Sequence, residues 1–210
     1  LTIFLNKLGK HATAVFSGDI PPAITFLNPD KTFEQTADSL RDFIIALDKE
    51  KADHLRYKVV DDAVKIFITP YRTTITDKDL EFSQGDYNVE LVLALNVENS
   101  ESIDTALTAH GKILHDATVV AITAGDVKSG LGSVDWHESN ASGVSEMVVE
   151  LLDDLKTPKV TLDEQMATAL LTGIVAVTER FSNGNTSSKV MTTAAELMAA
   201  GANQQLVVSK

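Results

Sequence analysis

The sequence contains no cysteine. This absence excludes disulfide bonds, thiolate metal sites and a cysteine nucleophile, and it fits either redox compartment. Aromatic residues make up only 6% of the 210 residues, with a single tryptophan. No stretch approaches the ~18 consecutive apolar residues that a membrane span requires, so we expect no membrane association.

Positive charge is also scarce, because 18 basic residues face 30 acidic ones and the net charge is −12. Such a surface repels a phosphate backbone, which argues against non-specific nucleic-acid binding but leaves a local phosphate pocket open. The opening "LTIFLNKLGK" places apolar residues before basic ones, the reverse of a secretory signal, and we expect a cytoplasmic protein. It predicts a helix that lacks an N-cap, so we also expect residues upstream of Leu1.

Hydrophobic residues form 44% of the chain and are arranged in alternating strand-like and helix-like segments. Buried-type strands are predicted at "LRDFIIALD", "VELVLALNV" and "ATVVAIT", and a hairpin at "HLRYKVVDDAVKIFITPY", with Asp61 and Asp62 near its turn. One helix is predicted over 102–114. Three more follow: "GVSEMVVELLDDL", capped by Ser142, "EQMATALLTGIVAVTERF", capped or opened by Asp163, and "SSKVMTTAAELMAAG", ended by Gly201.

This alternation predicts an α/β fold in which helices cover a parallel sheet in three layers, with a β-hairpin insertion. We expect a single domain over residues 1–203 with the insertion at about 30–85, followed by a tail or the start of a linker at 204–210.

Residue patterns alone indicate no chemistry. None of the five histidines has the spacing of a local metal clamp. His137 and Glu138 follow Trp136 in a predicted loop, which makes His137 the histidine best placed to line a cleft. The stretch "GDVKSGLGS" after "VVAITA" matches neither the P-loop nor the dinucleotide-binding pattern and is predicted to be a turn.

The C-terminal half carries a more informative set of blocks. "LGSVDWHESNASGVSEMVVELL" is followed by "TGIVAVTERF", then by "GNTSS" and by a helix ending in "LMAAGA". These blocks resemble the DHH phosphoesterase superfamily, in its oligoribonuclease and cyclic-dinucleotide phosphodiesterase branch, whose pattern includes "G-x-x-W-x-x-x-x-A-S-S-x-x-E" and "TGIxTDTGRF". The N-terminal "LTIFLNKLGKHATAVFSGDIPPAITFL" is similar to that family's first helix and second strand.

The resemblance implies a centre of two manganese ions held by carboxylates and imidazoles, which would bind the attacking hydroxide and the leaving oxygen of a phosphodiester. The ligand positions that can be matched carry other residues here. The Asp-His-His positions fall on Thr123, Ala124 and Gly125, the preceding strand's Asp on Asn96, and the Asp of "TGIxTDTGRF" on Val177. We therefore expect no catalytic residue, no metal and no cofactor in this chain.

The scaffold around these positions is retained: Gly132, Trp136, Ala141, Ser142, Glu146, Thr172, Gly173, Arg180, Phe181, Asn185 and Thr186. This combination predicts a non-catalytic member of the family, a pseudo-phosphoesterase that acts as a binding or assembly module. A nucleotide or phosphate ligand would be held by Ser142, Arg180, Asn185, Thr186 and His137. A protein partner or a second copy of the chain would instead use a surface such as the hairpin.

The alternative hypothesis is a metal-dependent phosphoesterase, acting on short oligonucleotides or cyclic dinucleotides, whose Mn²⁺ ligands are relocated or lie upstream. The relocated ligands would be Glu98, Asp126 and Glu179. A shift of two residues keeps Glu98 on its strand face but turns a helical Glu179 by about 200°. A further interpretation is that the chain is a fragment, because the family's smaller substrate-binding domain follows the "AGA" helix.

Overall fold

The computed structural model describes residues 1–209, and the chain divides into two compact units. The larger unit joins Leu1–Ala37 to the chain from Val89 onward, and the smaller unit is Asp38–Asn88. The smaller unit overlaps the insertion that the sequence predicts at about 30–85. No helix within residues 1–209 combines the length and the apolar character that crossing a membrane would take.

Strands dominate the first half of the chain, and helices dominate its last third. In order they are α1 (Thr2–Lys7), β1 (Ala14–Val15), β2 (Phe33–Glu34), β3 (Arg41–Leu47), β4 (Ala52–Val60), β5 (Ala63–Pro70), β6 (Leu80–Tyr87), β7 (Leu91–Leu95), α2 (Thr105–Thr108), α3 (Lys112–Asp116), β8 (Thr118–Ala124), β9 (Val134–Glu138), α4 (Val144–Leu155), α5 (Glu164–Val177), α6 (Ser188–Ala199) and α7 (Gln204–Val208). Short 3₁₀ turns connect several of them.

A parallel sheet of order β7-β8-β9 forms the centre of the larger unit. In its register, Leu93 lies opposite Val120, and Ile122 lies opposite Trp136. The strands β1 and β2 form a second parallel pair. Parallel strands bury both faces and therefore read as continuous apolar runs, as "ATVVAIT" does. The predicted α/β fold with a parallel sheet is confirmed.

The main core lies among the helices that follow the sheet. Phe4 of α1, Ile174 of α5 and Val190 of α6 are completely buried there. Residues 204–210 were expected to be a tail or linker, but they include α7, whose Val207 is buried in this core.

The helix boundaries show which local signals act. Asp163 caps α5 as predicted, because its carboxylate accepts a hydrogen bond from the Met166 amide at 2.9 Å. Gly201 follows α6 with φ of 101°, as expected of a glycine after a helix end. The prediction that Ser142 caps α4 is wrong: the N-cap is Gly143, and the Ser142 hydroxyl bonds to a side chain instead.

Two helices are shorter than predicted. The segment 102–114 forms the two short helices α2 and α3, which are separated around Ala109–Gly111. Helix α5 ends at Val177, and Glu179, Arg180 and Phe181 then adopt positive φ angles of 48°, 60° and 63°. No glycine marks this left-handed turn, so its sequence reads as a continuing helix.

The smaller unit contains two antiparallel strand pairs. The predicted hairpin is confirmed as β4 and β5, which turn at Asp61 and Asp62. The other pair joins β3 to β6, a strand that sequence reasoning missed. The prediction that β3 is buried is wrong, since Phe43, Ile44 and Ile45 are 60%, 42% and 41% exposed. Within this unit β3 pairs with β6 alone, and no layer covers its apolar side chains.

Candidate functional site

The candidate site lies where β7, β8 and β9 end together. Asn96 follows β7 with φ of 55°, and its amide donates a hydrogen bond to the Ile122 carbonyl at 2.8 Å. Gly125 follows β8 with φ of 65°, and its amide donates to the Glu138 carbonyl at 3.1 Å. Four of the five positions matched to the family's metal ligands are thus at the carboxyl edge of a parallel sheet, where α/β proteins bind ligands: Asn96, Thr123, Ala124 and Gly125.

The side chains at the end of β8 offer little to a cation. Thr123 is 1% exposed, and its hydroxyl oxygen lies 3.1 Å from Nδ1 of His137. Ala124 presents only a methyl group and is buried. His137 was expected in a loop, but it lies in β9 opposite Thr123, because the parallel register brings the two residues side by side.

Val177 occupies the matched position at the end of α5. A Cβ atom built on Gly143 would lie only 3.3 Å from Cγ1 of Val177, so an apolar side chain packs against the start of α4 here. The Val177 carbonyl accepts hydrogen bonds from the side-chain amides of Asn183 at 3.1 Å and Asn185 at 3.3 Å. Asn185, one of the predicted ligand-binding residues, therefore caps α5.

The residues present do not fit a two-manganese centre. Hard divalent cations require carboxylate or imidazole ligands, and the matched positions supply a buried hydroxyl, a methyl group, a glycine, a valine and an amide. Within residues 1–209, no group of three or more His, Cys, Asp or Glu residues lies close enough together to hold a metal ion. The alternative ligands Glu98, Asp126 and Glu179 are each exposed.

A buried carboxylate organises the start of α4. Glu146 is 1% exposed, and its Oε2 accepts hydrogen bonds from the Ser142 amide at 2.8 Å and the Ser142 hydroxyl at 2.9 Å. Its Oε1 lies 3.3 Å from Nζ of Lys189, which also pairs with Glu150. The hydrogen bond to Glu150, followed by that to Glu146, raises the pKa of Lys189. Both Ser142 donors are engaged, so only its oxygen lone pairs remain to meet a ligand.

Two predicted ligand-binding residues carry buried polar atoms without a partner among residues 1–209. These atoms are Nε2 of His137 and Oγ1 of Thr186. Buried polar atoms are hydrogen-bonded in the large majority of cases, so a water or a ligand atom is able to act as the partner of each.

Arg180 has a different environment from these two residues. It is exposed in the left-handed turn and lines a groove of about 220 Å³. The groove's other walls are Ala23, Ile24, Phe26, Thr172, Val175, Ala176, Glu179 and Val207. None of the other four predicted ligand-binding residues lines this groove, so the structure does not place all five around one cavity.

Sequence reasoning missed three features of the site. Lys189 of α6 forms an ion pair with Glu146 of α4. The contact between Thr123 and His137 depends on the register of β8 and β9. The left-handed turn after Val177 contains no glycine. The first two are contacts between distant residues, for which a single sequence carries no local signal. The third feature, the left-handed turn, is formed by the residues of the "ERF" block, Glu179, Arg180 and Phe181, and that block is the one trace of the turn in the sequence.

Two known proteins are similar to this chain, one in structure and one in sequence. The structure is similar to the crystal structure of an exopolyphosphatase-related protein from Bacteroides fragilis, with a TM-score of 0.65, 12% identity, and coverage of 97% of this chain and 48% of that one. At this level of identity the likeness concerns the fold alone, a mixed α/β domain with parallel strands.

One curated relative matches in sequence. The chain is 30% identical over 118 residues to the "Bifunctional oligoribonuclease and PAP phosphatase NrnA" of Bacillus subtilis (strain 168). This match covers 56% of the present chain and 36% of the relative. No protein-family model matches the chain. Together, the sequence and structure similarities support a DHH-like superfamily, and the chain spans about a third to a half of the length of these proteins.

Proposed function

We propose that this chain is a DHH-like, cytoplasmic protein without metal-dependent phosphodiesterase activity that acts as a binding or assembly module. The observation that carries the proposal is the chemistry of the sheet edge. Thr123, Ala124 and Gly125 stand at the Asp-His-His positions, and Val177 packs its side chain against Gly143. Neither feature leaves a donor that could bridge two cations.

The ligand proposed for this edge is a nucleotide or a phosphate. His137 and Thr186 each hold a buried polar atom that a ligand oxygen or hydroxyl could satisfy. The name of the Bacillus subtilis relative describes an oligoribonuclease and PAP phosphatase, which suggests PAP and a short oligoribonucleotide as the first compounds to test. The overall charge of −12 favours a confined pocket over an extended nucleic-acid surface.

A calorimetric titration with Mn²⁺ tests the loss of metal chemistry. The parent protein is compared with a triple variant carrying Thr123→Asp, Ala124→His and Gly125→His. We expect no Mn²⁺ binding by the parent at micromolar concentrations and no Mn²⁺-dependent cleavage of a short oligoribonucleotide. Binding of two ions by the parent would support the alternative enzyme, with Glu98, Asp126 and Glu179 as the residues to mutate next.

Thermal unfolding with and without PAP or a dinucleotide tests the ligand. Thr186→Val keeps the shape of the side chain and removes the unpartnered hydroxyl, so it leaves the stability of the free protein unchanged or slightly higher. The same variant should reduce the ligand-induced rise in Tm. Thr192→Val, at an exposed position of α6, is the matched control and should keep the full rise. An equal rise in all three proteins would contradict a role for Thr186.

A further inference from the structure

The smaller unit, Asp38–Asn88, has no residue that is buried. Its two antiparallel strand pairs each remain two-stranded. A two-stranded hairpin is at best marginally stable in water unless something packs on its apolar face. Within this unit, therefore, the apolar side chains of the strand pairs are not covered by the unit's own residues.

The hairpin β4–β5 has one face made only of apolar side chains. Directly paired residues lie on the same face of a sheet, and the pairs here are Leu55 with Ile68, Tyr57 with Ile66, and Val59 with Val64. Five of these side chains are largely exposed: Leu55 64%, Tyr57 73%, Val59 64%, Val64 65% and Ile66 50%.

The opposite face of the same hairpin is different in character. It pairs Arg56 with Phe67 and Lys58 with Lys65, and the Arg56 guanidinium lies 5.1 Å from the centre of the Phe67 ring. Its polar groups can remain in water while the apolar face is covered. We define the six-residue apolar face of β4–β5 as the hairpin face.

The area of the hairpin face matches what a dimer requires. Its five most exposed residues leave roughly 600 Å² accessible, which is the upper end for the largest apolar patch on a typical soluble monomer, and patches of that size are often functional. Two copies that cover each other would bury about 1,200 Å² in total, which is the lower end of the range for specific protein–protein interfaces.

Charge on the hairpin also permits a second copy of the chain as the partner. The whole chain carries −12, but residues 52–70 contain three acidic and three basic residues and are neutral. Two copies can therefore approach through this hairpin without the repulsion that the rest of the surface would cause. The β3–β6 pair of the same unit does not cover the hairpin face. The side chains of Phe43 and Phe82 on that pair are themselves 60% and 59% exposed.

We propose that the hairpin face binds the same face of a second copy of this chain, in an isologous two-fold contact that forms a homodimer. Two such faces pack as a small sandwich of two hairpins. The two-fold axis makes every contact occur twice, because the same surface of each copy forms the interface. The association rests on the hairpin alone and does not depend on the ligand or on the metal chemistry of the sheet edge.

Light scattering coupled to size-exclusion chromatography tests the dimer in the full chain. At about 100 μM chain, we expect a mass of twice the 22.6 kDa of one copy. Tyr57→Glu places a charge in the centre of the face and should weaken dimerisation at least ~30-fold, giving the monomer mass. Lys58→Glu, one residue away on the opposite face, should remain dimeric. A monomeric parent, or equal behaviour of the two variants, would overturn the proposal.

Disulfide trapping provides a second measurement that does not depend on destabilising the hairpin. Because the chain has no cysteine, a single introduced thiol can crosslink only between copies. Ile66→Cys, in the central pair of the face, should give a covalent dimer under mild oxidation, whereas Lys65→Cys on the opposite face should not. Equal crosslinking of both variants, or none by Ile66→Cys, would refute a dimer through this face.

Discussion

Replacing Glu146 tests whether the scaffold around the sheet edge depends on hydrogen-bond acceptors or on charge. The carboxylate is 1% exposed and accepts two hydrogen bonds from Ser142, through its amide at 2.8 Å and its hydroxyl at 2.9 Å. In Glu146→Ala both donors stay buried without an acceptor. Since an unpaired buried donor costs roughly 1–3 kcal/mol, we expect the variant to lose about 3 kcal/mol in the free energy of unfolding.

The variant Glu146→Gln separates the two contributions. Its amide oxygen still accepts both hydrogen bonds from Ser142, while the ion pair with Lys189 is removed. The side chain of Lys189 is 59% exposed and also pairs with Glu150, so the ion pair contributes little. We expect Glu146→Gln to cost about 1 kcal/mol, mostly because hydrogen bonds to a neutral acceptor are weaker.

Urea unfolding at neutral pH, followed by circular dichroism, measures all of these changes. Glu150→Ala is the matched control, because it removes the exposed partner of the same lysine and should change the free energy of unfolding by no more than about 0.5 kcal/mol. If Glu146→Gln were as costly as Glu146→Ala, the negative charge and not the pair of acceptors would hold this segment. If both were mild, Ser142 would find other partners and the reasoning would fail.

Two further predictions concern a close backbone contact and a titrating carboxylate. A Cβ atom on Gly132 would lie 2.5 Å from the Val134 carbonyl oxygen and 2.9 Å from the amide nitrogen of Ala121. Gly132→Ala should therefore lower the free energy of unfolding by about 2–3 kcal/mol. Gly130 has open space around it, so Gly130→Ala should change this free energy by no more than about 0.5 kcal/mol in the same urea assay. The hydrogen bond from Lys51, with those from Thr76, lowers the pKa of Asp79 to about 2, so its contribution to stability is present above pH ~4 and is lost as the pH falls through about 2. An NMR titration should find this low pKa, and a higher one in Lys51→Ala that the two remaining Thr76 hydrogen bonds still hold below the ordinary value; an unchanged pKa in that variant would contradict the assigned cause.

Local signals account for the elements that were predicted correctly. The alternating residues on either side of Asp61 and Asp62 specify the β4–β5 hairpin, because the side-chain period of a strand is two. Asp163 begins α5 because its carboxylate supplies an acceptor to a free helix amide.

The errors arose where distant contacts or the absence of a covering layer decide the outcome. Strand β3 is apolar in sequence, yet it is exposed because its only neighbour in the sheet is β6. Ser142 has the composition of an N-cap, but the buried carboxylate of Glu146 competes for its hydroxyl. The length of α5 was overestimated because the turn at Glu179–Phe181 uses positive φ angles without a glycine.

The sequence by itself determined what chemistry the sheet edge can offer, since folding does not change the functional groups of Thr123, Ala124, Gly125 and Val177. Only the tertiary structure decided how those positions are occupied. It pairs Thr123 with His137 through strand register and packs Val177 against Gly143. It also leaves the hairpin face exposed within the smaller unit, because burial depends on which elements meet in space and not on the apolar character of a strand alone.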